Sequence, residues 1–396
     1  MNFKPLSNPL LIVSDNPSGY GGLARMCRDL ATLCATLPQF RVGVLGRGMG
    51  NRRRFPFTLY PYPETGQWGE GYIAPTWNDF SDGENGVIIT LDDASRRHWF
   101  ANPVGLPEEM QRFLGSGRNF EKWMYLPLDS TGPNYRTPPI AARDCILNYD
   151  RVLLASEWAY NTVRPFRTSN VDWLPHGIWT DVFRPIGANN IMCKSHIEEW
   201  DGKVVVGCVM ANQSRKDFPA AFECFRALKQ HYGNRFLAWV HTDDMSRYWS
   251  LPALAAEYGV GDCLEVTIGL SDTQLALRYS ACDSTILPSG GEGFGYPIAE
   301  SLACGTACCT TDYAGGAELV EPDCRVQPMT FRVDTQHCVV RAVLSGHAFA
   351  QAVLVQVEKK RRDWVYESHR LAGTVEHLSW NNLSHPWKRW LLEGLQ

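Results

Sequence analysis

Short, almost wholly apolar runs recur along this chain with helix-length or loop-length spacers between them, and the series runs twice. The first series is Leu10–Val13, Val42–Leu45, Val87–Leu91, Trp123–Leu128, Val152–Ala155 and Val171–Leu174. The second is Val204–Val209, Phe236–Val240, Leu264–Ile268, Thr285–Leu287 and Thr306–Thr310. Between these lie helix-patterned segments, Ala220–Tyr232, Leu251–Tyr258, the stretch after Ser271-Asp272, and Pro297–Cys304. Runs that are apolar at every position suit strands buried on both faces, and strands alternating with helices build a parallel sheet. The cluster Pro185-Ile186-Gly187-Ala188-Asn189-Asn190 separates the two series as a linker. The expected class is α/β, with Rossmann-like domains over 1–185 and 186–366. The stretch from Val339 to Gln396 is predicted mostly helical, with 367–396 returning to the first domain. Sheets of this kind bind ligands beyond the carboxyl ends of their strands, so the two domains are expected to face a central cleft.

Composition narrows the function classes. Lys plus Arg is 38 and Asp plus Glu is 42, a formal charge of −4, so the chain as a whole is not a basic nucleic-acid coat. Its 13 cysteines are scattered, with no C-x-x-C pair. Cys304, Cys308 and Cys309 fall in an apolar stretch, where free cysteine behaves as a small hydrophobe, so no metal site is expected. The opening MNFKPLSNPLLIVSDNP has a four-residue apolar run, far short of the roughly 20 residues of a spanning helix. A cytoplasmic protein is the expectation.

The chemistry concentrates in Leu287-Pro-Ser-Gly-Gly-Glu-Gly-Phe-Gly-Tyr-Pro-Ile-Ala-Glu-Ser-Leu-Ala-Cys-Gly-Thr306. A strand ends, a glycine-rich turn lets backbone approach a ligand, and Pro297 sits where a first helical turn tolerates it. Glu292 lies on the loop and Glu300 about one turn into the helix, so both carboxylates can face one crevice at different depths. Carboxylates accept hydrogen bonds from paired hydroxyls, as on a ribose or a sugar. The plainer reading is an acidic loop and a Glu favoured by the helix dipole.

This run resembles glycosyltransferase family 4, the retaining nucleotide-sugar transferases of the GT-B fold, whose motif is a Glu, seven residues and a second Glu. Ser280-Ala-Cys-Asp-Ser-Thr-Ile-Leu-Pro-Ser289 before it and Ala314-Gly-Gly-Ala-Glu-Leu-Val320 after it match as well. The resemblance implies that Glu292 contacts the transferred sugar and Glu300 the ribose, with Gly293, Phe294 and Gly295 lining the donor. Val171 to Pro185, which contains His176, looks like the family's passage into the linker. Gly21 and Gly22, opening a helix after the first strand, take the place where backbone N–H groups meet the donor's diphosphate. In Val209-Met-Ala-Asn-Gln-Ser-Arg-Lys-Asp217, Arg215 and Lys216 stand where the family puts cations on the leaving diphosphate. Many members carry an Arg a few residues earlier; this chain has Ala211-Asn212.

No Asp-x-Asp occurs, so the diphosphate charge is expected to be met by Arg, Lys and helix N-termini without a metal. Asp129, after the strand ending at Leu128, is the chosen residue for the acceptor hydroxyl, ahead of Asp92 and Asp93. The resemblance thus implies a metal-independent, retaining hexosyltransferase with no cofactor beyond a nucleoside diphosphate sugar, UDP favoured over GDP. No acidic residue falls between Asp29 and Glu64, whereas Arg41, Arg47, Arg52, Arg53 and Arg54 do, interleaved with Phe55, Phe57, Tyr60 and Tyr62. Arg52, Arg53 and Arg54 are therefore the candidate acceptor contacts, for DNA bearing a hydroxylated base or for an anionic glycan or lipid precursor. A solvated loop is the plainer reading of that stretch. The rival from another class is a sugar-nucleotide-binding protein without catalysis.

Overall fold

The computed structural model describes residues 7–19, 21–50, 54–64, 68–187, 190–197 and 199–394. The chain divides into two compact units, 1–176 with 336–338 and 384–396, and 177–335 with 339–383. Each is built on its own parallel sheet.

The first sheet comprises β1 (Asn8–Asp15), β2 (Phe40–Arg47), β3 (Thr58–Tyr62), β4 (Gly86–Leu91), β5 (Phe120–Leu126), β6 (Arg151–Leu154) and β7 (Val171–Trp173), in the order β3-β2-β1-β4-β5-β6-β7. Leu10 to Val13 in β1 are wholly buried, as a central strand covered on both faces requires. Part of the arginine-rich stretch read as loop is instead strand: Thr58–Tyr62 pairs in parallel with Gly43–Arg47 at the sheet edge. An edge position tolerates Pro61, which has no N–H to give to a ladder.

The second sheet comprises β8 (Val204–Val209), β9 (Phe236–His241), β10 (Leu264–Thr267), β11 (Ser284–Leu287), β12 (Cys308–Thr311) and β13 (Arg325–Val326), in the order β10-β9-β8-β11-β12-β13. In both sheets the order reverses beside the first strand, between β1 and β4 and between β8 and β11. Loops leaving the carboxyl ends there diverge and leave a crevice. Cys304, Cys308 and Cys309 are buried, and burial pushes the Cys304 and Cys308 thiols up, in keeping with their reading as small hydrophobes.

The carboxyl-terminal third departs from the helical expectation at its start. Val339–Val343 is a strand, β15, pairing antiparallel with β14 (Thr330–Asp334). Helices follow over Gly346–Arg362, Trp364–Thr374 and Trp380–Glu393. The end of the last one belongs to the first unit. There Trp387 packs edge-on against Tyr125 at 4.9 Å and donates its indole N–H to Pro175 O at 3.2 Å, and Trp390 meets Trp123 at 5.1 Å. Among the described residues no helix is long and apolar enough to cross a membrane.

Candidate active site

In the second unit three loops leave β8, β11 and β12 and are stitched together by backbone bonds. Gly290 N donates to Arg215 O at 2.7 Å, Asp217 N to Pro288 O at 3.0 Å and Gly316 N to Glu292 O at 3.1 Å. Thr311, at the end of β12, donates its hydroxyl to Ser289 O at 2.8 Å. Close backbone contact is possible because the loops are glycine-rich: a Cβ on Gly316 would lie 2.9 Å from Glu292 Cβ. Gly295 has φ +95°, a left-handed conformation glycine adopts without strain, and caps the helix Tyr296–Ala303 with Pro297 in its first turn.

These loops bring Arg215, Lys216 and Glu292 together at the switch point between β8 and β11. Lys216 Nζ bonds Glu292 Oε1, and Arg215 Nη2 stands 3.8 Å from Glu292 Oε2. Glu292 and Lys216 are both buried, at 7% and 5% exposure. Burial pushes the Glu292 carboxyl up, but the charges of Lys216 and Arg215 outweigh it and hold the group below the usual carboxylate range. A buried carboxylate is thus kept ionised by two cations, one of which it holds by a charge-assisted bond.

Glu300 sits in the helix Tyr296–Ala303, 2% exposed, and accepts a hydrogen bond from Tyr279 Oη at 3.2 Å. Tyr279 escaped the sequence reading, although it immediately precedes the quoted Ser280–Ser289 segment. Gly293 and Phe294 lie in the same loop, with Phe294 buried and its ring 5.5 Å from Tyr296.

Asn212, one of the two residues found where the resemblance implies an arginine, proves to be a staple. It is wholly buried. Its N–H donates to Asp243 Oδ1 at 2.7 Å, its Nδ2 donates to Asp244 O and Trp249 O, and its Oδ1 accepts from Tyr248 N and Trp249 N. The residue fixes the loop after β9, and no polar atom of its amide remains for an anion.

The first unit holds the other candidates. Gly21 and Gly22 are exposed at the start of the helix Gly22–Ala35, which has no side-chain cap and no acidic residue in its first turn. Asp129 follows β5, half-buried, and accepts from Ser130 Oγ at 2.9 Å. Asp92 is wholly buried 2.7 Å from the equally buried Arg97, which also bonds Trp68 O, so it serves structure. His176 is wholly buried beside Tyr125. Burial, then the charge of Arg25, holds its ring well below the usual imidazole range, so it stays neutral. Arg52 and Arg53 lie outside the described residues, and Arg54 is exposed. Among the described residues no group of three or more His, Cys, Asp or Glu is placed to hold a metal ion.

Residues 196–325, which contain Lys216, Glu292 and Glu300, match the family described as Glycosyl transferases group 1. The matched segment lies within the second unit, and the whole chain has the GT-B fold. Sucrose-phosphate synthase from Thermosynechococcus elongatus superposes with a TM-score of 0.68 at 16% identity, over 98% of this chain and 99% of that one. Anabaena HepE in complex with UDP and glucose does so with a TM-score of 0.70 at 12% identity, over the same shares. Among curated proteins, an MMP alpha-(1->4)-mannosyltransferase from Mycolicibacterium hassiacum is 36% identical over 70 residues, 18% of this chain and 17% of that protein. The aligned part thus spans about a sixth of that relative.

Proposed function

We propose that this protein is a retaining glycosyltransferase that moves a hexose-type sugar from a nucleoside diphosphate sugar, UDP favoured, to an acceptor hydroxyl. The observation that carries this reading is the buried Lys216–Glu292 pair with Arg215 beside it, set at the switch point of the second sheet and backed by Glu300. A residual positive charge next to glycine backbone suits a leaving diphosphate, and a carboxylate held ionised suits sugar hydroxyls.

In this reading Lys216 and Arg215 face the diphosphate, Glu292 the transferred sugar and Glu300 the ribose. The bond from the anomeric carbon to the diphosphate breaks as the acceptor oxygen bonds on the same face. The acceptor proton passes to the departing diphosphate oxygen, so no covalent enzyme nucleophile is needed. Asp129 is assigned to orient the acceptor hydroxyl. The UDP preference draws support from the bound ligands of HepE. For the acceptor we propose an anionic molecule. Its supports are Arg54 and the guanidinium groups of Arg47 and Arg96, which lie 4.2 and 4.3 Å from the Trp68 ring at the carboxyl edge of the first sheet.

Incubation with radiolabelled UDP-glucose and GDP-mannose, with and without EDTA, tests the reading. Release of nucleoside diphosphate, unaffected by EDTA, is expected. Binding of a donor with no turnover under any condition would leave a sugar-nucleotide-binding protein in its place.

A further inference from the structure

The β14–β15 hairpin, inserted between the last strand of the second sheet and the helix Gly346–Arg362, lies against the glycine-rich loop. Ala342 N donates to Gly290 O at 3.1 Å, while Gly290 N donates to Arg215 O at 2.7 Å. Gly290 is thus clamped between the hairpin and the loop that carries Arg215 and Lys216. The stem of Arg341 runs across the open face of that glycine. A Cβ on Gly290 would stand 3.2 Å from Arg341 Cβ and 3.3 Å from its Cδ, tight enough to push the arginine aside. Arg332 pairs with Arg341 in the hairpin register, and its charge acts on Asp217, the residue after Lys216.

The charge balance of the loop gives this placement a use. Lys216 and Arg215 are both turned on Glu292, so the three together offer one net positive charge. A diphosphate ester carries a negative charge on each phosphoryl group and gains another as it leaves. Asn212 cannot contribute, its amide being spent on the loop after β9. The hairpin lays a further guanidinium stem, that of Arg341, on this loop, and guanidinium suits phosphoryl oxygens because it can donate two parallel bonds.

We propose that Arg341 is a further donor-binding residue, delivered by the β14–β15 hairpin across Gly290 to bond the diphosphate of the nucleotide sugar. This rests on the glycosyltransferase reading and adds a residue to the same site. The hairpin becomes part of the donor pocket, and Gly290 is glycine so that the arginine stem can lie flat on the loop.

Calorimetry on the full chain tests it, using UDP, GDP and ADP and the corresponding nucleosides as probes, with wild type, Arg341→Gln and Arg341→Lys. For the diphosphate that wild type binds best, Arg341→Gln is expected to lose roughly ten- to hundredfold in affinity, as for a hydrogen bond to a charged group. Arg341→Lys should recover part of that loss, and the nucleoside should bind all three proteins within about twofold, since it lacks the charge that Arg341 reads. Diphosphate affinity unchanged in Arg341→Gln would overturn the assignment and leave the transferase reading standing. Equal losses for diphosphate and nucleoside would also overturn it, because they would mean only that the hairpin shapes the loop. Failure of wild type to bind any of the diphosphates would remove the transferase reading and this inference with it.

Discussion

Replacing Lys216 by Ala should damage the second unit's stability in a way that depends on pH. The substitution leaves Glu292 buried with Arg215 at 3.8 Å as its remaining named cation. Breaking a buried pair by removing one partner costs about 3–5 kcal/mol, because an uncompensated charge stays behind. For a unit of this size that is a fall of roughly 6–20 °C in melting temperature. The sign of the pH dependence follows from Glu292. In the wild type its carboxyl is held below the usual range, so its contribution is present above the unfolded carboxylate pKa and is lost as pH falls through the folded one. Without Lys216, burial dominates and the carboxyl rises, so the variant's deficit should be largest above that raised folded pKa and shrink as pH falls through it toward the ordinary carboxylate range. In Lys216→Met/Glu292→Gln no charge is stranded, and the double variant should lie within roughly 1 kcal/mol of wild type while lacking transfer activity. Urea unfolding of Lys216→Ala, the single variants Lys216→Met and Glu292→Gln, and the double variant at several pH values measures all of this. A deficit independent of pH, or a double variant as unstable as the sum of the singles, would refute the reasoning.

Three further outcomes are expected. Gly316→Ala should cut donor turnover by more than about tenfold while costing only about 1–3 kcal/mol of stability, because its Cβ would press on Glu292 at 2.9 Å; steady-state kinetics beside a thermal melt separate the two. Lys360 is buried, donates to Cys282 O and Thr306 Oγ1 at 2.7 Å, and is lowered by burial to about 8, so the unfolded chain binds more protons above that pH. The stability of wild type relative to Lys360→Met should therefore rise as pH climbs past about 8, as chemical unfolding of both proteins at graded pH would record. Asn212→Ala should loosen the loop 243–249, seen as faster amide exchange at Tyr248 and Trp249, whose N–H groups bond Asn212 Oδ1.

Both sheets were legible because their central strands carry almost wholly apolar runs, and the spacing of Glu292 and Glu300 survives folding as a loop carboxylate and a helix carboxylate. What escaped shares physical causes. Thr58–Tyr62 contains Pro61 and is mostly exposed or half-buried, which hides an edge strand from any search for central ones. The β-branched pair Val339-Val340 was absorbed into a helical stretch because its partner strand Thr330–Asp334 is only five residues long and largely exposed. The Asp92–Arg97 pair and the staple at Asn212 depend on distances across loops, which sequence order does not carry. Lys216 and Glu292 are separated by 76 residues, and only the β8–β11 adjacency brings them together.

The central claim, that the second unit holds a nucleoside diphosphate with Glu300 on the ribose and Glu292 on the sugar, is tested most directly by calorimetric titration of UDP into wild type, Glu300→Ala and Glu292→Ala. The account predicts that Glu300→Ala loses at least about tenfold in UDP affinity, while Glu292→Ala binds UDP within about threefold of wild type yet turns over no donor. Unchanged UDP binding in Glu300→Ala, or full turnover in Glu292→Ala, would contradict it.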